Sequence, residues 1–217
     1  MPTLDARVAG AAVSLSIHLH RGDLPAGLSF GNAVAVDTET MGLLPGRDRL
    51  CLVQLSAGDG VCHLVQISAG QTEAPQLAAL LTDPQVLKIF HFARFDLGIL
   101  KHALSLDVAP IYCTKIASRL ARTFTDRHGL KDLARDLLGI ELSKQQQSSD
   151  WGATDLSTEQ LKYAASDVLH LHRLRERLDE MLAREGRTEL AKACFEFLPT
   201  RVDLDLKGWA TEDIFAH

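Results

Sequence analysis

The sequence has no apolar run approaching the roughly eighteen residues that a membrane span needs, and no basic N-terminal segment followed by an apolar stretch. Neither a transmembrane helix nor secretion is expected. Its four cysteines, at positions 51, 62, 113 and 194, include no CxxC pair. That argues against a zinc knuckle, a thioredoxin-like motif and a disulfide framework, and makes the reducing cytoplasm the expected compartment. Positive charge is also scarce: 23 Lys and Arg face 28 Asp and Glu. Tight binding to long duplexes, which needs many cations against phosphates, is therefore not expected, although local basic patches are. No repeat, low-complexity linker or composition break divides the 217 residues. With 46% apolar and 24% charged residues the chain is too apolar for disorder and can bury a sizeable core.

What is present is an alternation of strand and helix patterns. Leu15, Ile17 and Leu19 alternate with polar neighbours over 14–19, and Ala33 to Val36 is a short apolar run ending in acids. Leu50 to Leu55 and Val61 to Ile67 read as an antiparallel pair around the turn Gly58-Asp59-Gly60. A short helix over 76–81, a buried strand over 86–90, a helix over 95–102 and a short strand over 111–113 follow. Helices over 115–122 and 130–138, the second capped by Gly139, precede a polar loop from Ser143 to Gly152. Ser157 or Thr158 then caps one long helix that runs to Arg184, with Leu161, Ala164, Ala165, Val168, Leu171, Leu174 and Leu178 on one face. The pattern predicts one α/β domain with a mixed sheet over residues 1–198. An irregular tail over 199–217 is expected to pack on that domain or on a neighbouring subunit.

Three segments carry groups with chemical potential. Asp37 and Glu39 follow the strand Ala33 to Val36, and strand alternation sends both carboxylates to one face. The second segment, His91-Phe92-Ala93-Arg94-Phe95-Asp96, places Asp96 on the first turn of a helix, beyond the end of a neighbouring strand. Groups at adjacent strand ends of an α/β sheet meet in one crevice. Third, Tyr163 and Asp167 stand four apart on the long helix and project from the same face. Each segment alone also fits a bland account: a solvated strand end, an acid complementing a helix dipole, a surface Tyr and Asp.

Taken together and in this order, Asp37-Thr38-Glu39, Phe95-Asp96 and Tyr163 with Asp167 resemble the three motifs of the DEDD family of 3′-5′ exonucleases, in its tyrosine-containing branch. His91 stands where many members carry Asn. Leu50 to Leu55 and Ser148-Ser149-Asp150-Trp151 extend the similarity to ribonuclease D-like members over most of residues 30–185. The segments 113–118, 125–131, 143–151 and 213–217 are similar to the nanoRNase C group over nearly the whole chain.

The resemblance implies a ribonuclease-H-like fold, a mixed β-sheet flanked by α-helices. It implies two divalent metal ions, Mg²⁺ or Mn²⁺, with Asp37 bridging both, Glu39 and Asp167 completing the first site, and Asp96 serving the second. Tyr163 would orient and help deprotonate the attacking water. Physical chemistry favours the same cofactors: four clustered carboxylates repel one another, and hard divalent cations with oxygen ligands hold them ionised. The implied substrates are short RNA oligonucleotides, down to dinucleotides, cut to 5′-mononucleotides, with single-stranded DNA a further partner. The implied assembly is a homo-octamer. The rival readings are a broader exonuclease acting on longer RNA or DNA and, in a different class, a non-catalytic RNA-binding module.

Substrate contacts are expected from Thr38, His91 and Phe95 beside the acids, and from Leu43, which is placed to wedge against a base. Lys115 and Arg119 lie at helical spacing, and Arg127, His128, Lys144 and Ser148 join them from adjacent loops as candidates for a terminal 5′-phosphate. A solvated basic face is the alternative. His18 and His20 are expected to face solvent or a partner rather than a metal. His170 and His172 lack the spacing of a zinc helix, and Cys62-His63 reads as structural.

Overall fold

The structure is a computed structural model describing residues 4–7, 14–143 and 149–217. Seven strands, β1 (Leu4–Arg7), β2 (Ser14–Arg21), β3 (Ala33–Thr40), β4 (Leu50–Ser56), β5 (Val61–Gln66), β6 (Leu87–Phe90) and β7 (Ile111–Cys113), make one mixed sheet in the order β1-β2-β5-β4-β3-β6-β7. The expected hairpin of β4 and β5 is antiparallel, β3 pairs antiparallel with β4 and parallel with β6, and β7 extends the parallel side. β1, which the sequence does not signal, adds an antiparallel edge to β2.

The helices are α1 (Pro75–Thr82), α2 (Ala93–Leu104), α3 (Thr114–Ala121), α4 (Leu130–Leu133), α5 (Thr158–Val168), α6 (Leu171–Arg184) and α7 (Thr188–Leu204). α4 runs on as a π-helical turn, Ala134–Leu138, and ends at Gly139 in the left-handed conformation, as expected of a C-cap. Ser157 proves to be the cap of α5, exchanging side-chain hydrogen bonds with Gln160 in a capping box. No helix among the described residues is long and apolar enough to cross a membrane.

β3 lies in the middle of the sheet because its first half is wholly apolar: Val34, Ala35 and Val36 have no exposed surface. β4 is buried along its whole length, which suits a strand covered on both faces. Leucines of α5 and α6, with Trp151, complete the core on the helical side. Each fully buried Leu or Val side chain contributes roughly 1.5–3 kcal/mol relative to exposure.

Two expectations need correction. The long helix predicted to run to Arg184 is two helices, separated at Leu169–His170. Its apolar stripe is continuous in sequence, but α5 packs on β3, β4 and β5 whereas α6 packs on α3, α7 and β6. A straight rod cannot serve both sets of partners. The tail is not irregular from residue 199 either: α7 continues through Pro199 to Leu204, and a π-helical turn follows to Trp209. An internal proline ordinarily costs a helix about 3 kcal/mol, and burial of Phe195, Leu198 and Val202 offsets that cost. Arg94 of α2 holds the turn through a two-pronged contact with Asp205 and a 2.9 Å bond to the Ala210 carbonyl, while Lys101 pairs with Asp203.

Candidate active site

The buried half of β3 fixes the strand, and its polar half emerges at the sheet's end. There Asp37 and Glu39 are half-buried, and a register shift between Glu39 and Thr40 terminates regular pairing with β4. Antiparallel register puts Gln54 opposite Asp37, and its Nε2 donates to Asp37 Oδ2 at 3.2 Å. Thr38 points the other way along the strand, and its hydroxyl donates to Asp96 Oδ1 at 2.7 Å. Asp96 sits in the first turn of α2 and is 2% exposed. Tyr163, on α5, packs against the core and hydrogen-bonds through its hydroxyl to Asp167 one turn along.

Asp37, Glu39 and Asp167 each offer an oxygen, and these three atoms lie within 4.8 Å of one another. Asp96 stands outside that triplet, yet near enough for mutual repulsion with Asp37 and Glu39. Burial pushes the Asp37 carboxyl up to about 7. Burial, reinforced by Asp37, Asp167 and Asp96, pushes Glu39 up to about 10. Asp96 and Asp167 are likewise raised well above the usual carboxylate range, first by burial and then by Asp37. Such a set is costly as four bare anions. All its donors are anionic oxygens converging from β3 and α5, with a fourth held beside them, and that chemistry fits a hard divalent cation.

The candidate substrate contacts divide. Leu43 is 81% exposed on the loop between β3 and β4, free to meet a base. Thr38 is buried and tied to Asp96, so its hydroxyl serves the acid rather than a substrate. His91 bonds to the Thr114 hydroxyl at 2.9 Å, and burial lowers its pKa to about 3, so the ring is neutral. Phe95 is half-buried, packed on the core. Lys115 lies over the Phe92 ring, Arg119 and Arg127 are exposed, and His128 bonds to Ser118 at 2.8 Å. Lys144 and Ser148 lie outside the described residues.

His20 departs from its expected solvent-facing position: it is 9% exposed and bonds to His63 at 3.0 Å, and both His18 and His20 stack on that ring. The parallel pairing of β2 and β5 aligns these imidazoles, and sequence spacing cannot reveal pairing between distant strands.

Two residues emerge that sequence reasoning did not place in the site. Gln54 is the first, and a lone amide in the apolar run Leu50 to Leu55 was the signal. Phe92 is the second. Its left-handed backbone, with φ of 68°, has no signature in the sequence.

Residues 23–183 match the 3′-5′ exonuclease family. A ribonuclease D of Gluconacetobacter diazotrophicus is 39% identical over 156 residues, covering 72% of this chain and 39% of that protein. The chain thus spans about two fifths of the length of the curated relatives it matches. Similar solved structures include Brucella melitensis NrnC with bound Mg²⁺, 57% identical with a TM-score of 0.89, and the same protein bound to pGG, 58% identical with a TM-score of 0.90. Each alignment covers 93% of this chain and 98% of the other. The family match takes in β3, α2 and α5 together, and with them all four acids and the tyrosine: the chain belongs to the 3′-5′ exonuclease family.

Proposed function

We propose that this protein removes nucleotides from the 3′ end of short oligoribonucleotides, down to dinucleotides, and releases 5′-mononucleotides. The observation that carries this reading is the convergence of the Asp37, Glu39 and Asp167 oxygens within 4.8 Å, with Asp96 held beside them by Thr38. In this reading Asp37, Glu39 and Asp167 hold one divalent ion, and Asp37 with Asp96 holds a second, Mg²⁺ or Mn²⁺. When bound, such ions offset the negative charge that builds on the phosphate and lower the pKa of water.

The chain's own residues do the rest. Gln54 fixes one oxygen of Asp37 and leaves the other lone pairs facing the cluster. Tyr163 keeps its proton, because burial and the surrounding acids push the phenol up. It therefore acts by orienting the attacking water, with its hydroxyl aligned through Asp167. Leu43 presses on a base from the loop between β3 and β4. Lys115, Arg119, Arg127 and His128, with Lys144 and Ser148, receive the 5′-phosphate. Supporting this, Arg122 and Arg135 on the same side are neutralised by Asp136 and Asp132, whereas Lys115 and Arg119 make no ion pair among the described residues.

The free thiols of Cys51, Cys62, Cys113 and Cys194 suit a reducing cytoplasm. Exposed Phe197, Trp209, Ile214 and Phe215 suit assembly into a homo-octamer. The test is nucleotide release, with Mg²⁺, from end-labelled RNAs that range from a dinucleotide to long single strands, with matching DNAs. Fastest release from the dinucleotide RNA is expected. A flat length profile would favour a broader exonuclease on RNA or single-stranded DNA, and no release at all a non-catalytic binding module.

A further inference from the structure

We propose that Phe92 and Lys115 form one subsite for the nucleotide on the 5′ side of the scissile bond, the phenyl ring taking the base and the ammonium group its phosphate. The inference rests on the exonuclease reading and concerns a residue outside the acid cluster and outside the three motifs.

Phe92 is an anomaly on two counts. It adopts φ 68° and ψ 43°, a left-handed conformation that glycine or asparagine takes readily and a bulky side chain does not. Its side chain also earns no compensation from the core, because the residue is 44% exposed. Neither backbone preference nor burial accounts for a phenylalanine here. Strained non-glycine residues of this kind cluster where a ligand needs them.

The surroundings indicate which ligand. Lys115 Nζ stands 3.9 Å from the centre of the Phe92 ring, over its face. The ammonium has no carboxylate partner among the described residues, and its proton is held less firmly than usual because of burial and the neighbouring Arg119. A compact cation without a counter-ion suits a phosphate. An exposed aromatic ring suits a nucleobase of any identity, since every base has a π-face. The ligand class that offers an aromatic plane and an anion this close together is a nucleotide.

Placement agrees with chemistry. The Phe92 carbonyl accepts from Phe95 N at 3.1 Å, which ties it to the first turn of α2, and Asp96 lies in the same turn. On the other side His91 bonds to Thr114, whose hydroxyl reaches the Phe90 carbonyl at 3.2 Å. This fixes the start of α2, with Phe92, against the start of α3, with Lys115. The platform is therefore held from both sides at the same end of the sheet as the acids.

The test uses the full-length protein and 5′-phosphorylated dinucleotides, including one with 2-aminopurine at the 5′ position. Phe92→Gly removes the ring but relieves the backbone. Its melting temperature is expected to hold or rise while KM for the dinucleotide rises about ten-fold and kcat changes less. Phe92→Tyr should keep the wild-type KM. Wild-type protein should quench the 2-aminopurine by stacking, and Phe92→Gly should not. Lys115→Gln should raise KM for the 5′-phosphorylated dinucleotide but not for one lacking that phosphate.

If Phe92→Gly loosens the helix start, Phe92→Asn, which also accepts the left-handed backbone, repeats the test. Unchanged KM and unchanged quenching in the Gly or Asn variant would overturn the subsite. So would loss of oligomer with KM preserved, which would make Phe92 an interface residue. A wild-type protein that cleaves no oligonucleotide would instead sink the exonuclease reading itself.

Discussion

The Thr38 hydroxyl donates to Asp96 across 2.7 Å, so the strand bearing the first two acids grips the helix bearing the third. Thr38→Val keeps shape and removes that donor. A buried acceptor stripped of its partner costs about 1–3 kcal/mol, and here the acceptor is a carboxylate already raised by burial. Asp96 should then retain its proton more firmly and compete less well for a cation. The expected outcome is roughly a ten-fold weaker Mg²⁺ dependence of activity, in keeping with a loss of about 1.4 kcal/mol, with recovery in Thr38→Ser. Calorimetric Mg²⁺ titration checks it, and wild-type affinity in the Val variant would count against this role.

Metal removal and pH should act together. Asp37 is raised to about 7 and Glu39 to about 10 in the folded chain, so the folded state binds more protons than the unfolded state above the ordinary carboxylate range. Metal-free stability should therefore fall as pH rises from about 4 through 7 and should go on falling towards 10. A divalent ion replaces those protons and binds the native state selectively. The melting-temperature gain on adding Mg²⁺ to EDTA-treated protein should grow between pH 5 and pH 8. A gain that is absent, or that shrinks over this range, would contradict a carboxylate metal site, and Asp37→Ala should abolish both the gain and the activity.

Much of this was legible in the sequence because it depends on local periodicity. Asp37 and Glu39 belong together by strand alternation, Tyr163 and Asp167 by helix spacing, and Ser157 by cap chemistry. What the sequence hid depends on partners far along the chain. The stripe from Leu161 to Leu178 is continuous, and only its two different packing partners split the helix at Leu169. Pro199 ordinarily argues for an end, and the buried Phe195, Leu198 and Val202 override it. Gln54 becomes a site residue only through the register that faces it to Asp37.

Tyr163→Phe separates orientation from metal binding. The substitution deletes the hydroxyl that bonds to Asp167 and leaves the ring packed on the core. Mg²⁺ affinity should persist, while turnover falls perhaps ~10²-fold, the scale of a positioned proton-transfer or water-orienting group. Single-turnover cleavage of a dinucleotide at saturating Mg²⁺ measures this, and full activity would remove Tyr163 from the mechanism.

The C-terminal segment should govern both assembly and length choice. Arg94, two residues before Asp96, holds Asp205 and the Ala210 carbonyl, so the segment after α7 is fastened to the helix that carries an active-site acid. Beyond that clamp Trp209 is 40%, Ile214 43% and Phe215 76% exposed, and Phe215 meets Phe197 at 6.3 Å between ring centres. Phe197 is itself 40% exposed, so the two rings form an outward apolar patch rather than a second core. A patch of that kind calls for cover by another subunit. A subunit seated there narrows the approach to the acids, which favours short RNA over long. Deleting Gly208–His217 keeps the Asp205 contact but removes the Ala210 bond and most of the patch. The truncated protein should lose its oligomer in light scattering, and its dinucleotide cleavage should fall by a larger factor than any cleavage of longer RNA. Wild-type protein that scatters as a monomer and still prefers dinucleotides would sink the link between assembly and length.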